Sequence, residues 1–218
     1  MWRAFGIQVS NVIIQNSCKH PCSNDRLLYF YSDVPHALKN IKTGFINNET
    51  ITIPDYFVNK FALPTNVANC SHLNAVLIAD ENCDIKLAPK LRSEYLSGKN
   101  HFQKMKVNTA TTVFSDQVGT ALELLANSND AMITTAWFLK FIARWFRTMS
   151  GRNLYLALGL SCMEKFEETI AFLNEVIELF KGLKVGKNGN WKPFQTAVIM
   201  STTTVLQLTL VLLRGERF

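Results

Sequence analysis

The tightest constraint in this chain is a stripe. Between Phe102 and Ala126, the residues Val107, Ala110, Phe114, Val118, Ala121 and Leu125 follow one another at spacings of three and four. That period lines one side of a helix and aims it at a core. A stripe of this kind needs apolar partners, and three later segments share the period. Phe138, Phe141, Ile142, Trp145 and Met149 lie on one side of a segment from Ile133 to Met149. Phe166, Ile170, Leu173, Ile177 and Phe180 repeat at four and three, behind a capping-box pattern of Ser161 and Glu164. A last helix is expected from about Lys192 to Leu213. The stripe is thus expected to be the central helix of an α-helical body.

At 218 residues and 48% hydrophobic, the chain can bury a sizeable core, which excludes a disordered segment. The net charge of +6 is scattered, so it permits contact with a phosphate backbone without requiring it. Five cysteines are an odd number without the dense pairing of a secreted scaffold, and Met1-Trp-Arg-Ala-Phe5 lacks the apolar core of a signal peptide. Free thiols in a reducing, intracellular compartment are the expectation. Ala197 to Leu213 carries no charge, but its 17 residues include Ser201, Thr202, Thr203, Thr204, Gln207 and Thr209. It is short and polar for a span, so a core helix is expected and no membrane partner.

The N-terminal part has another character. Leu27 to Tyr31 is a short apolar and aromatic run, the pattern of a buried strand, and it delivers Ser32 and Asp33 to the strand's end. Pro35 then suits the first turn of a helix in which Leu38, Ile41 and Phe45 share a face, with Gly44 near its end. A carboxylate at a rigid strand end is placed to hold a divalent metal, and equally placed to cap the helix; the residue alone favours the cap. Cys18-Lys-His20-Pro-Cys22 lacks a second ligand pair and reads as a turn with free thiols. Pro54 and Pro64 bracket a short helix using Phe57 and Phe61. Gly182 to Asn190 is a basic loop without the Walker spacing of a phosphate loop.

Several stretches in order then carry a family likeness. They are Trp2-Arg-Ala-Phe-Gly6 with His20-Pro21, Asp33-Val-Pro-His36-Ala-Leu-Lys39-Asn40, His101-Phe-Gln-Lys-Met-Lys106-Val with Val113-Phe-Ser115, Phe146 to Asn153, and Lys192-Pro-Phe-Gln195-Thr. Together they resemble the P element transposase family, the DNA transposases that often carry an N-terminal THAP zinc domain. The resemblance implies a mainly α chain, with a partial α/β RNase H-like segment over 1–47 and a helical GTP-binding-insertion-like domain over 48–218. It implies DNA, GTP and Mg2+ as ligands, self-association, and a nuclear setting.

By that resemblance Asp33 matches one of three acids that hold catalytic Mg2+ ions for attack on a DNA phosphodiester. The first acid falls before the position of Met1 and the last beyond that of Phe218. The expectation is therefore a piece or shortened derivative of a transposase, catalytically incomplete and of binding type; the alternative is part of an active enzyme whose other acids lie outside this chain. Lys90, Lys106, Val107, Ser115 and Phe146 match positions around GTP, the lysines offsetting phosphate charge and the hydroxyl donating to it. Lys106 and Ser115 are nine positions apart, which on an unbroken helix turns them to opposite sides, so a cap at Asn108 or Thr109 is expected. The family pattern has an Asp after the aromatic at 146. Arg147 stands there instead, and as a donor-only group it should weaken selectivity for guanine.

Overall fold

The computed structural model describes residues 2–81, 83–97, 106–151 and 162–214. Helices carry most of them: α1 (Val34–Asn48), α2 (Asp55–Lys60), α3 (His72–Glu81), α4 (Ser93–Leu96), α5 (Val107–Val113), α6 (Asp116–Leu125), α7 (Ala131–Ser150), α8 (Met163–Gly182) and α9 (Pro193–Thr209). The strands are short: β1 (Gln8–Val9), β2 (Ile14–Gln15), β3 (Ser17–His20), β4 (Ser23–Tyr29), β5 (Thr50–Thr52), β6 (Val67–Asn69) and β7 (Lys184–Val185). The mainly α class expected from the periodicity is what forms. Ser161 of the capping box, Gly98, His101 and residues 102–105 ahead of the stripe, and residues 152 and 153 of the family likeness lie outside the described residues. The chain divides into two compact units, one of residues 1–37, 147–182 and 193–218, the other of 38–146 and 183–192.

In the second unit the stripe is helical but broken. Phe114 leaves the helical conformation (φ −89, ψ 79) and Ser115 is extended (φ −136, ψ 152), so α5 ends and α6 begins anew. The cause is local hydrogen bonding. Ser115 Oγ accepts from the Val118 N–H at 3.3 Å and donates to the Thr112 carbonyl at 2.9 Å, closing one helix and capping the next. Most of the stripe survives the break: Ala110, Phe114, Val118 and Ala121 are buried, Val107 and Leu125 at its two ends are half-buried, and Val113 and Leu122 join the buried side. Burying each of the larger ones contributes roughly 1.5–3 kcal/mol.

Leu38, Ile41 and Phe45 of α1 are wholly buried, as their spacing predicts. The Phe45 ring lies 5.6 Å from that of Phe138 in α7 and 6.5 Å from that of Phe114. The helix runs on past Gly44 to Asn48, and Glu49 then turns the chain with φ 63. β5 follows as the centre of a three-stranded antiparallel sheet, pairing Ile51 with Ala68 of β6 and with Val185 of β7. The basic loop expected over Gly182–Asn190 therefore contains a strand, and Gly186 and Gly189 supply the positive φ of its turn. Within α6, Gly119 leaves room for the stem of Lys140, since a Cβ there would stand 2.6 Å from Lys140 Cγ.

In the first unit, α8 buries Phe166, Leu173, Ile177 and Phe180, and α9 packs along it with Phe194 against Phe180 at 6.3 Å. β1 and β2 form one hairpin and β3 and β4 another. By length and composition Pro193–Leu213 could cross a membrane. Several of its polar side chains nonetheless find internal partners: Gln195 Nε2 donates to the Phe180 carbonyl at 2.9 Å, and Thr204 Oγ1 to the Phe30 carbonyl at 2.6 Å. Asn16 Nδ2 donates to both Thr204 Oγ1 and Gln207 Oε1 at 2.8 Å. Those pairings account for Gln195, Thr204 and Gln207 in so apolar a segment, whereas the buried hydroxyl of Thr203 makes no hydrogen bond.

Candidate functional site

Asp33 follows β4 and precedes α1. Its carbonyl accepts from the Ala37 N–H at 2.9 Å, so its main chain occupies the capping position, while the side chain is exposed. Burial, and then the Asp33 charge, push the Tyr31 phenol above its ordinary range. Among the described residues no three His, Cys, Asp or Glu side chains converge as a metal site. Asp33 by itself does not fit the requirement of a metal-dependent phosphoryl centre, which takes two or more converging carboxylates. The turn expected over Cys18–Cys22 is shorter than that: Cys18 lies within β3 opposite Leu28 of β4, and only His20 to Cys22 round the hairpin's turn, with His20 Nδ1 accepting from the Cys22 N–H at 3.1 Å; both thiols are free.

The residues matched to nucleotide positions fall in three places. Lys90 is the third residue of the turn Ala88-Pro89-Lys90-Leu91, closed by the Leu91 N–H on the Ala88 carbonyl at 2.9 Å, and is exposed. The turn leads into α4, which packs against α5. Lys106 is the capping residue of α5, extended (φ −80, ψ 121) and exposed, and Val107 opens the helix half-buried. The cap expected at Asn108 or Thr109 thus stands earlier. With Lys106 ahead of one helix and Ser115 heading the next, the rotation of a continuous helix does not relate them. The Ser115 hydroxyl is half-buried and engaged in both directions, so a ligand must share or displace its bonds. Phe146 is half-buried on a different helix, α7, with Arg147 exposed beside it.

Two charged side chains beneath these positions escaped the sequence reading. Lys42, only 2% exposed, donates from Nζ to Thr109 Oγ1 at 2.8 Å, and that hydroxyl donates in turn to the Lys106 carbonyl at 2.8 Å. Asp80 is 6% exposed and accepts from the Leu87 N–H at 2.6 Å and the Ala88 N–H at 3.0 Å. A signal for each was present. Lys42 stands between Ile41 and Phe45 on the buried side of α1, and Asp80 is four positions after Val76, on the buried side of α3.

Residues 36–161 match the family model described as the TNP-like, GTP-binding insertion domain. DNA transposase THAP9 of Homo sapiens is 30% identical over 159 residues, which are 71% of this chain and 16% of that protein. The Drosophila P element transposase, solved as a strand transfer complex, aligns with all of this chain and 47% of its own at a TM-score of 0.74 and 17% identity, a likeness of fold. The chain thus spans about a sixth of its curated relative. Since the family model takes in more than half of the sequence and the fold is shared along its whole length, the chain belongs to the P element-like transposase family and carries its TNP-like, GTP-binding insertion domain.

Proposed function

We propose that this chain is a nucleotide-binding module of a P element-like transposase, with GTP as its ligand and no complete catalytic centre of its own. In this reading Lys90 and Lys106 offset phosphate charge, the backbone at Val107 and the hydroxyl of Ser115 contribute hydrogen bonds, and Phe146 lies against the base. What carries it is the pair of lysines. Both are exposed, one on the turn leading into α4 and one at the head of α5, and those two helices pack on each other. Arg147, where the family pattern has an acid, offers only donors, so discrimination between guanine and adenine should be weak. The test is calorimetric titration of GTP and ATP into the full chain: heat with either nucleotide supports the reading, and none up to millimolar nucleotide removes it.

A second reading is favoured by the exposed carboxylate of Asp33, in the short connection between β4 and α1. Here the chain supplies one acid to an active, Mg2+-dependent DNA transposase of nuclear location, and self-association or other polypeptide supplies the rest. DNA cleavage by the chain with Mg2+, abolished by Asp33→Ala, would decide for this reading over the first.

A further inference from the structure

The turn that presents Lys90 is held from beneath by a buried acid. Asp80, near the C-terminal end of α3 and more than nine-tenths buried, places one carboxylate oxygen on the Leu87 N–H and the other on the Ala88 N–H. A buried carboxylate is costly unless its oxygens are satisfied, so both are committed to this stretch of backbone. The turn's two ends, Ala88 and Leu91, are themselves buried, at 1% and 7% exposure. Pro89 fixes φ at the second position, and the Leu91 N–H closes the turn on the Ala88 carbonyl. Pro89 and Lys90, both exposed, form the tip of this fixed frame. Such a frame leaves little beyond side-chain rotation for Lys90 to lose when it meets an anion.

We infer that Asp80 is a positioning residue for Lys90, presetting the turn so that the ammonium reaches a nucleotide phosphate at low entropic cost. The inference rests on the reading of Lys90 as a phosphate ligand. It makes a prediction of opposite sign to simple electrostatics. Removing a negative charge near an anion site should tighten anion binding, whereas loosening the turn should weaken it.

The test is calorimetric titration of GTP into the full chain in four forms: unaltered, Asp80→Asn, Lys90→Ala, and the double variant. Asp80→Asn is expected to weaken binding about ten-fold, and to have no further effect once Lys90 is gone, the non-additivity of two residues acting through one contact. Pro89→Ala, at an exposed position, serves as the second variant should Asp80→Asn not fold. It is expected to show a smaller loss with the same dependence on Lys90. Unchanged or tighter binding by both variants overturns the inference, as does an equal loss with and without Lys90, which marks a general effect on the fold. No heat with the unaltered chain removes the nucleotide reading itself, and the inference with it.

Discussion

The ammonium of Lys42 and the hydroxyl of Thr109 stand 2.8 Å apart, with Lys42 only 2% exposed, so a charged side chain of α1 ends inside the unit on the first turn of α5. The same hydroxyl donates to the Lys106 carbonyl. Thr109→Val keeps the shape and removes both bonds, leaving the buried ammonium short of an acceptor. We expect a loss of ~1–3 kcal/mol, larger than that of an exposed threonine such as Thr120→Val. Urea midpoints at constant slope measure it, and a loss of ~0.5 kcal/mol or less would show that the contact is incidental.

Asn16 makes a comparable connection in the other unit, bridging Thr204 and Gln207 of α9 while Thr204 holds the Phe30 carbonyl. Asn16→Ala strands two acceptors in the apolar surroundings of α9. A cost of about 1–3 kcal/mol is expected, read as a lowered urea midpoint, and an unchanged midpoint would mean that water substitutes freely there.

Thiol reactivity should sort the described cysteines by burial. Burial, and then the charge of Glu49, push the Cys70 thiol up to about 11, and the residue is 8% exposed, so it holds almost no thiolate at neutral pH. Cys22, Cys83 and Cys162 are exposed. A disulfide-exchange reagent applied to the native chain should label these three quickly and Cys70 only after unfolding. Mass mapping of the labelled peptides checks it, and early label on Cys70 would contradict the burial.

Much of this architecture was legible because apolar side chains repeat at the period of the element they belong to. Leu38, Ile41 and Phe45 and the α7 and α8 faces follow that logic. The buried strand expected over Leu27–Tyr31 does not: β4 runs Ser23–Tyr29 as one arm of a two-stranded hairpin, and Leu27 and Tyr31 are exposed. The break at Ser115 was not legible from the stripe, since Phe114 and Val118 keep the helical spacing on either side of it. Its signal was chemical: a hydroxyl followed by Asp116 is a helix start, and Thr112 supplies the carbonyl that closes the helix before it. β7 is too short to show a period and exists through its pairing with β5. Lys42 and Asp80 were passed over because charge is usually read as surface, although both occupy positions on a buried helical face.

His72 offers a test that depends on acidity. Its Nδ1 lies 2.8 Å from Thr135 Oγ1, the hydroxyl that also accepts from the Asn69 N–H at 3.0 Å. Partial burial lowers the imidazole below its ordinary value of 6.5. A group whose folded pKa lies below its unfolded one binds its proton more readily when the chain is unfolded. The contribution of neutral His72 is therefore fully present above 6.5 and declines as pH falls through 6.5 towards the lowered folded value. The ring is partly open to solvent, so the effect should be modest. His72→Gln keeps a polar partner for Thr135 and cannot titrate, so between about pH 7.5 and pH 5 the unaltered chain should lose more of its urea midpoint than the variant. Parallel profiles for the two would show that His72 takes up its proton equally in the folded and unfolded chain, and that its place beside Thr135 leaves it effectively in water.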